Sequence, residues 1–361
     1  MKALPLPQIA KIQKKLLQWY RKNGRDLPWR RTKDPYAIWV SEIMLQQTQV
    51  ATVLPYYQRF LKSFPTVRHL AKADLLKVLK VWEGLGYYSR ARNLHRASRM
   101  VFNQFYGKIP DQLKDLLALP GIGRYTAGAI LSIAFNKEAP VLDGNVKRVL
   151  CRLFAIAGSP VRGKTEGLLW HLSESLLPKG EASSFNQGLM DLGATTCTPK
   201  EPRCPQCPLR DLCKGKASGE PERFPTKAVR KKIPHIEAIS ALILKNGKVL
   251  LRQRPPKGLL GGLWEFPNWK NEDNGRVSFK LRNHFKKGLG MIAEVRGSIG
   301  TFRQTFSHFT LTLHVFHCQY LNGKAKGKWV PISKLHLFPM SRIHRQIAEV
   351  INEGTGVYHT P

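Results

Sequence analysis

The sequence predicts a multidomain chain: an all-α domain over residues 1–214, a linker at 215–234 and an α+β domain over residues 235–361. Three observations carry that prediction. The chain has 361 residues, more than a single core of ordinary size needs. From residue 8 to about 195, apolar side chains recur at helical spacing between short turns marked by Gly and Pro, whereas the later half changes to a period of two. Between Lys214 and Pro234 neither period persists, and three prolines, two glycines and the basic run Arg230-Lys231-Lys232 stand there instead.

Composition is that of a globular protein, with 42% apolar and 23% charged residues. No run of about eighteen apolar residues exists, so a membrane span is not expected. Lys11, Lys14 and Lys15 interrupt the apolar character of the N-terminal stretch, which lacks the pattern of a secretory signal. The expectation is a cytoplasmic, nucleoid-associated monomer. Lys and Arg number 59 against 24 Asp and Glu, a net charge of +35. Such an excess repels itself unless a polyanion offsets it, and nucleic acid is the expected partner. Charge alone leaves open a merely adhesive basic protein.

Within the helical half, Asp34-Pro35 has the form of a helix start, with Asp as N-cap and Pro at the first helical position. The following helix, to Leu45, is apolar almost all round and should be buried. Glu42 on it then sits in low dielectric, which disfavours its charged form and makes it a candidate general acid. A glutamate facing a groove, or paired with an Arg, is the alternative.

Leu119-Pro120-Gly121-Ile122-Gly123 joins two helical stretches and is followed by Arg124-Tyr125. Glycines at this spacing let the backbone turn tightly, present N–H groups and aim a helix N-terminus at a phosphate oxygen. A plain interhelical turn would read the same way. Further on, Asp143-Gly144-Asn145 precedes a helix whose buried stripe is Val146, Val149, Leu150, Leu153 and Phe154. Asp143 is an N-cap candidate, where backbone amides and the helix dipole favour its anion. Capping alone explains it. Beside Glu42, however, it makes the pair of one neutral and one ionised carboxyl used to cleave glycosidic bonds.

Cys197, Cys204, Cys207 and Cys213 follow the spacing C-x6-C-x2-C-x5-C. Four thiolates can hold zinc or a 4Fe–4S cluster. Zinc ribbons use two close pairs and here only Cys204 and Cys207 are close, which favours iron–sulfur. Lys200, Arg203, Arg210 and Lys214 surround these ligands with positive charge. Cys151 and Cys318 stand in apolar surroundings and read as ordinary buried thiols.

In the second half, Ile236–Leu244 and Lys248–Arg254 read as strands joined by a tight turn at Asn246-Gly247. Phe309, Leu311, Leu313 and Val315 alternate as a third strand, and Ile343, Ile347, Val350 and Ile351 mark a last helix.

Together these segments resemble the MutY family of adenine DNA glycosylases, within the endonuclease III-like helix-hairpin-helix superfamily. The resemblance runs from about residue 8 to the C-terminus. It is carried by Ser41–Thr48, Trp82–Arg90, Leu119–Tyr125, Asp143-Gly144-Asn145 and the four cysteines. It implies a helix-hairpin-helix glycosylase domain with a 4Fe–4S loop, and excision of adenine opposite 8-oxoguanine or guanine in double-stranded DNA. It makes Glu42 the acid that protonates the purine, Asp143 the partner of the developing sugar cation, Tyr125 their support and Asn145 an orienting group. Trp29 and Arg30 would line the adenine pocket. Gln47, Leu85 and Tyr87 would enter the duplex to replace the flipped base, with Thr48, Gly121 and Gly123 also on the DNA. Strand-cleaving relatives carry a lysine at the Tyr125 position, and a phenol forms no imine, so the enzyme is expected to be monofunctional.

Leu250–Arg254 and Gly258–Pro267 resemble part of a Nudix fold. Between Trp269 and Arg296 the only acids are Glu272, Asp273 and Glu294, with none of the glutamate-rich pattern that holds a Nudix metal. Phosphohydrolysis is therefore not expected. Phe306-Ser307-His308 instead matches the family's 8-oxoguanine loop, where a hydroxyl can donate or accept. The rival readings are a strand-cleaving lyase, a non-catalytic DNA-binding protein of the same fold and a Nudix pyrophosphatase.

Overall fold

The computed structural model describes residues 5–160, 163–226, 233–271 and 277–353; Arg230–Lys232, Glu272 and Asp273 lie outside them. By contact the chain divides into two units. The first is Met1–Lys72 with Asn93–Arg230, the second Ala73–Arg92 with Lys231–Pro361. Among the described residues no helix is long and apolar enough to cross a membrane.

The first unit is helical. Its elements are α1 (Leu6–Asn23), α2 (Pro35–Leu45), α3 (Val50–Ser63) and α4 (Val67–Lys72); α5 (Leu75–Val81) belongs to the second unit, and α6 (Ser89–Gln104) begins there. The first unit continues through α7 (Leu113–Leu117), α8 (Arg124–Phe135), α9 (Gly144–Leu153), α10 (Lys164–Ser175), α11 (Ala182–Asp191) and α12 (Lys214–Ala217). The α2 start is as its sequence suggests. Asp34 accepts from the Tyr36 amide at 3.0 Å with Pro35 at the first position, and Tyr36 through Met44 are all buried. α2 packs on α8, which is equally apolar. Gly128 lets α8 pass against the chain at Pro140, where a Cβ would meet the carbonyl oxygen at 2.2 Å. The α9 stripe, Val146, Val149, Leu150, Leu153 and Phe154, is buried together with Cys151 against α1 and α11.

The start of the stretch read as a linker is packed against this unit. Gly215 lies so close to α9 that a Cβ would stand 2.7 Å from the Arg152 carbonyl, and Phe224 packs on the helical core. Its glycine serves close approach there.

In the second unit a seven-stranded sheet runs β3-β2-β1-β6-β5, with β4 on β1 and β7 on β2. The strands are β1 (His235–Lys245), β2 (Lys248–Gln253), β3 (Trp264–Glu265), β4 (Asn268–Lys270), β5 (Met291–Thr305), β6 (Thr310–Gly323) and β7 (Lys328–Pro331). Asn246 and Gly247 both take positive φ, 45° and 69°, the geometry of a two-residue hairpin turn. β1 pairs in parallel with β6 from His235↔Thr310 to Leu244↔Gln319, and both faces of β1 are covered. Ala238, Leu242 and Leu244 face α14 (Arg342–Glu353), whereas Ile239, Ala241 and Ile243 face α13 (Val277–His284) and the turn after it. Cys318 is buried as expected. Val350 departs from the expected α14 stripe: it is 38% exposed, because Ile343, Ile347, Ala348 and Ile351 already fill the face toward the sheet.

Candidate active site

A cavity of about 750 Å³ opens in the first unit, bounded by α2, the Gln46–Val50 turn and the starts of α8 and α9. Glu42, Tyr125, Asp143 and Asn145 all line it. α2 carries Glu42 into this cavity from a helix that is otherwise core, and the residue is only 4% exposed. Its Oε2 accepts from the Tyr125 hydroxyl at 2.7 Å, and the same hydroxyl lies 3.5 Å from Met190 Sδ. Burial pushes the Glu42 carboxyl up to about 7; the Tyr125 hydrogen bond and the Arg30 charge oppose that rise and the Asp143 charge adds to it. At neutral pH this group can both hold and release a proton.

Asp143 caps α9, accepting from the Val146 amide at 2.7 Å through Oδ1 and from Asn145 Nδ2 at 2.9 Å through Oδ2. The cap favours the Asp143 anion, as expected, but burial outweighs it. Burial raises the Asp143 carboxyl above its ordinary value, and the Val146, Asn145 and Arg148 interactions only partly offset this. Arg148, three residues after Asn145 and so on the same side of α9, donates to Asn145 Oδ1 at 2.8 Å. It also donates to the Gly193 and Cys197 carbonyls, each at 2.7 Å. One guanidinium thus ties the site to the cysteine loop.

Trp29 and Arg30 line the same cavity. Trp29 is buried edge-on to Tyr57, with ring centroids 5.2 Å apart. Arg30 makes a paired contact with Asp191, Nη2 reaching Oδ1 at 2.7 Å, and Arg25 Nε reaches the same oxygen at 2.7 Å. Burial pushes Asp191 up, but the Arg30 and Arg25 interactions outweigh it and hold the carboxyl below its ordinary value. Sequence reasoning missed Asp191, Arg25, Arg148 and Met190. The signal for Asp191 was present, a single carboxylate between Met190 and Leu192 in an otherwise uncharged run.

Gln47 and Thr48 line the cavity mouth, Gln47 exposed and at φ 56°. In the hairpin before α8, Gly121 takes φ 83° and passes so near Asn93 that a Cβ would lie 2.9 Å from that side chain's Cβ. Gly123 differs: its φ is an ordinary −98°, and a Cβ there would meet nothing within 4 Å. The second glycine therefore leaves open space at the α8 N-terminus, where the notion of an obligatory turn does not apply. Arg124 beside it stacks on Trp170 at 4.1 Å.

Cys197, Cys207 and Cys213 pack against the helical core, and Cys204 is half-buried. Burial is the largest influence on Cys204, Cys207 and Cys213, raising all three thiols, and in each the Cys197 sulfur adds to it, so the four share one neighbourhood. Arg152 Nη1 lies 3.5 Å from Cys197 Sγ and the Lys216 amide 3.4 Å from Cys213 Sγ, the N–H donors that suit thiolates on a cluster. Among the described residues, no three His, Cys, Asp or Glu side chains are grouped so as to hold a single ion.

A second cavity, of about 350 Å³, lies in the second unit. Phe306, Ser307 and His308 line it, as do Tyr87 and Tyr88. Phe306 stacks on Phe309 at 4.6 Å, and Ser307 Oγ lies 3.2 Å from His308 Nδ1. Tyr87 is 44% exposed and takes φ 47°. Leu85, expected to enter a duplex, is 5% exposed; as an apolar side chain it takes the default place in a core. Over its described range, Val277–His284, α13 bears no acid.

The chain matches the HhH-GPD superfamily base excision DNA repair protein family over residues 40–175 and the NUDIX domain over residues 239–350. It is 38% identical to the adenine DNA glycosylase of Homo sapiens, over 95% of this chain and 74% of that protein. With the adenine DNA glycosylase of Buchnera aphidicola subsp. Schizaphis graminum it shares 36% identity over 93% and 97% respectively. A thermostable thymine-DNA glycosylase superposes with a TM-score of 0.55 at 33% identity, covering 59% of this chain and 98% of that one. A non-covalent endonuclease III–DNA complex shares the fold, with a TM-score of 0.51 at 23% identity over 60% and 99%.

Proposed function

This chain belongs to the adenine DNA glycosylases of the HhH-GPD superfamily, enzymes of base excision repair, and we propose that its preferred substrate is adenine opposite 8-oxoguanine, removed without strand cleavage. It is a DNA N-glycosylase carrying a helical catalytic unit and a Nudix-like unit. The observation that carries the mechanism is the buried Glu42 carboxyl, raised to about 7, hydrogen-bonded to Tyr125 and sharing a cavity with Asp143.

An adenine flipped from the stack enters that cavity, where Trp29 and Arg30 border it. Glu42 gives its proton to the purine's imidazole nitrogen, and adenine departs as a neutral leaving group. Positive charge then develops on the sugar, and Asp143 stabilises it as an anion. Asn145 fixes the Asp143 carboxylate through the 2.9 Å contact on its Oδ2. Water then adds to the sugar cation and loses a proton that restores the Glu42 carboxyl, which completes the hydrolysis.

Tyr125 supports the monofunctional reading. It stands where an amine would be needed for an imine with the sugar, and burial raises its phenol well above the ordinary value, keeping it protonated. Incubation with borohydride and abasic product tests this: little covalent adduct is expected, and efficient trapping would overturn it.

Cys197, Cys204, Cys207 and Cys213 would hold a 4Fe–4S cluster, which when bound supplies a structural cross-link for a loop rich in positive charge. The two donors near their sulfurs support this assignment. The Phe306–His308 cavity is the site for the opposing 8-oxoguanine, where the Ser307 hydroxyl, now in contact with His308 Nδ1, can donate or accept. Single-turnover excision of adenine opposite 8-oxoguanine, guanine or thymine tests the specificity. The fastest rate is expected opposite 8-oxoguanine, and equal rates on all three would overturn the reading.

A further inference from the structure

The turn Glu83–Tyr88 is costly to hold. Gly84, Gly86 and Tyr87 take φ of 95°, 78° and 47°, and a bulky residue in the left-handed region needs support from its surroundings. Part of that support is local: Trp82 Nε1 donates to the Gly86 carbonyl at 3.0 Å, and the Arg90 guanidinium to the same oxygen at 3.2 Å. The rest comes from residues 169 to 262 positions later in sequence, within the same unit. Arg345 Nε donates to Glu83 Oε1 at 2.8 Å, and the Met340 amide donates to that oxygen at 3.3 Å. Tyr88 donates its hydroxyl to the Met340 carbonyl at 3.0 Å while accepting from the Gly84 amide at 3.2 Å. Arg92 Nη1 reaches the Gly261 carbonyl at 2.7 Å.

The same short segment, Met340 to Arg345, also holds the strand that carries Phe306–His308 to the cavity. The Ile343 amide donates to Gln304 Oε1 at 3.1 Å, two residues before Phe306 on the strand that leads into the Phe306–His308 turn. Arg345 is itself anchored, donating to the Leu335 and Phe338 carbonyls at 3.1 and 2.6 Å. Glu83 and Arg345 are both largely withdrawn from water, at 13% and 19% side-chain exposure, so their attraction is only weakly screened.

We infer that the Glu83–Arg345 ion pair is a positioning clasp that sets selectivity for the oxidised guanine, by holding in place the two segments that bring Tyr87 and Ser307 to the wall of one cavity. Neither clasp residue lines that cavity, so both act through the loops they join. The inference rests on the recognition reading above and adds to it a determinant that no base-contacting motif reveals.

The test is single-turnover excision of adenine opposite 8-oxoguanine and opposite guanine by the full chain and by E83Q, R345M, R345K and the double variant E83Q/R345M. The ratio of the two rates is internal to each preparation, so a misfolded fraction does not distort it. Each of E83Q and R345M is expected to lower the ratio about tenfold, with the double variant no lower, because one clasp is lost only once. R345K, which keeps a cation within reach, should stand nearer the wild-type ratio than R345M. An unchanged ratio in E83Q, an equal slowing of both substrates in every variant, or a double variant in which the two losses multiply would overturn the clasp. A wild-type chain with no preference for 8-oxoguanine would instead overturn the recognition reading, before any variant is compared.

Discussion

The Tyr125 hydroxyl donates to Glu42 Oε2 over 2.7 Å, so the phenol stabilises the ionised form of the carboxyl proposed above as the proton donor. Burial raises Glu42, and this hydrogen bond is the largest influence opposing it. The balance leaves the group at about 7, where it is protonated in about half the molecules at neutral pH.

The excision rate should therefore fall as pH rises through about 7, as the acid loses its proton. Y125F removes the opposing hydrogen bond, and the falling limb should move up by about one pH unit or less. Single-turnover rates from pH 5 to 9 check this. A limb that stays in place would show that Tyr125 does not tune Glu42.

E42Q keeps the volume of the side chain and removes its proton. Excision should drop by about 10²- to 10⁴-fold while affinity for a mispaired duplex is retained. A stability effect accompanies it. Between the ordinary 4.5 and about 7, the native chain binds a proton here that the unfolded chain has lost, so stability falls as pH rises across that window. The loss reaches at most about 3 kcal/mol above pH 7. The stability of E42Q relative to wild type should accordingly increase between pH 5 and pH 8 in denaturant titrations, and a pH-independent difference would contradict the raised carboxyl.

How far the sequence reaches is visible in three residues. Glu42 was legible because its helix is apolar on every side, which by itself requires burial. Asp191 was not, since its meaning lies in Arg25 and Arg30, more than 160 positions away and brought together only by the fold. Leu85 was read for what its motif suggests, and without DNA its side chain is buried, a placement that a motif alone does not reveal. The grouping of Ala73–Arg92 with the sheet unit was equally hidden, because period and composition run along the chain and Glu83 shows its partner only in space.

Arg148 is the largest addition to the site that geometry makes. It holds Asn145 Oδ1, and Asn145 in turn holds Asp143 Oδ2. R148M should slow excision about ten- to a hundredfold, the usual consequence of a catalytic group displaced by a fraction of an ångström to an ångström. Product-release kinetics should be little affected, so the loss appears in the single-turnover phase. An unchanged single-turnover rate would reduce Arg148 to a tie for the loop.

For the cysteines, C204S and C207S should each yield protein with little bound iron and weaker affinity for duplex DNA, since the loop that places Arg203 and Arg210 loses its cross-link. Iron quantitation together with a binding titration checks it. Full affinity in iron-free protein would remove the loop from the DNA-binding surface. Zinc in place of iron in the purified wild-type chain would overturn the cluster assignment.

Replacing Phe306, Ser307 and His308 together tests the proposed recognition cavity directly. The Ser307 hydroxyl is exposed and its neighbour is the adjoining His308 ring, so a base presented to it can replace that contact without leaving a buried group unpaired. Loss of one such hydrogen bond should lower the rate ratio between 8-oxoguanine and guanine substrates about tenfold, while adenine removal opposite guanine changes much less. The Phe306–Phe309 stack bears on how the result is read, because losing it loosens the turn whichever base is opposite. S307A alone leaves that stack intact and should account for most of the lost preference. If S307A retains the full ratio and only the triple variant loses it, the loop shapes the cavity without its hydroxyl reading the base.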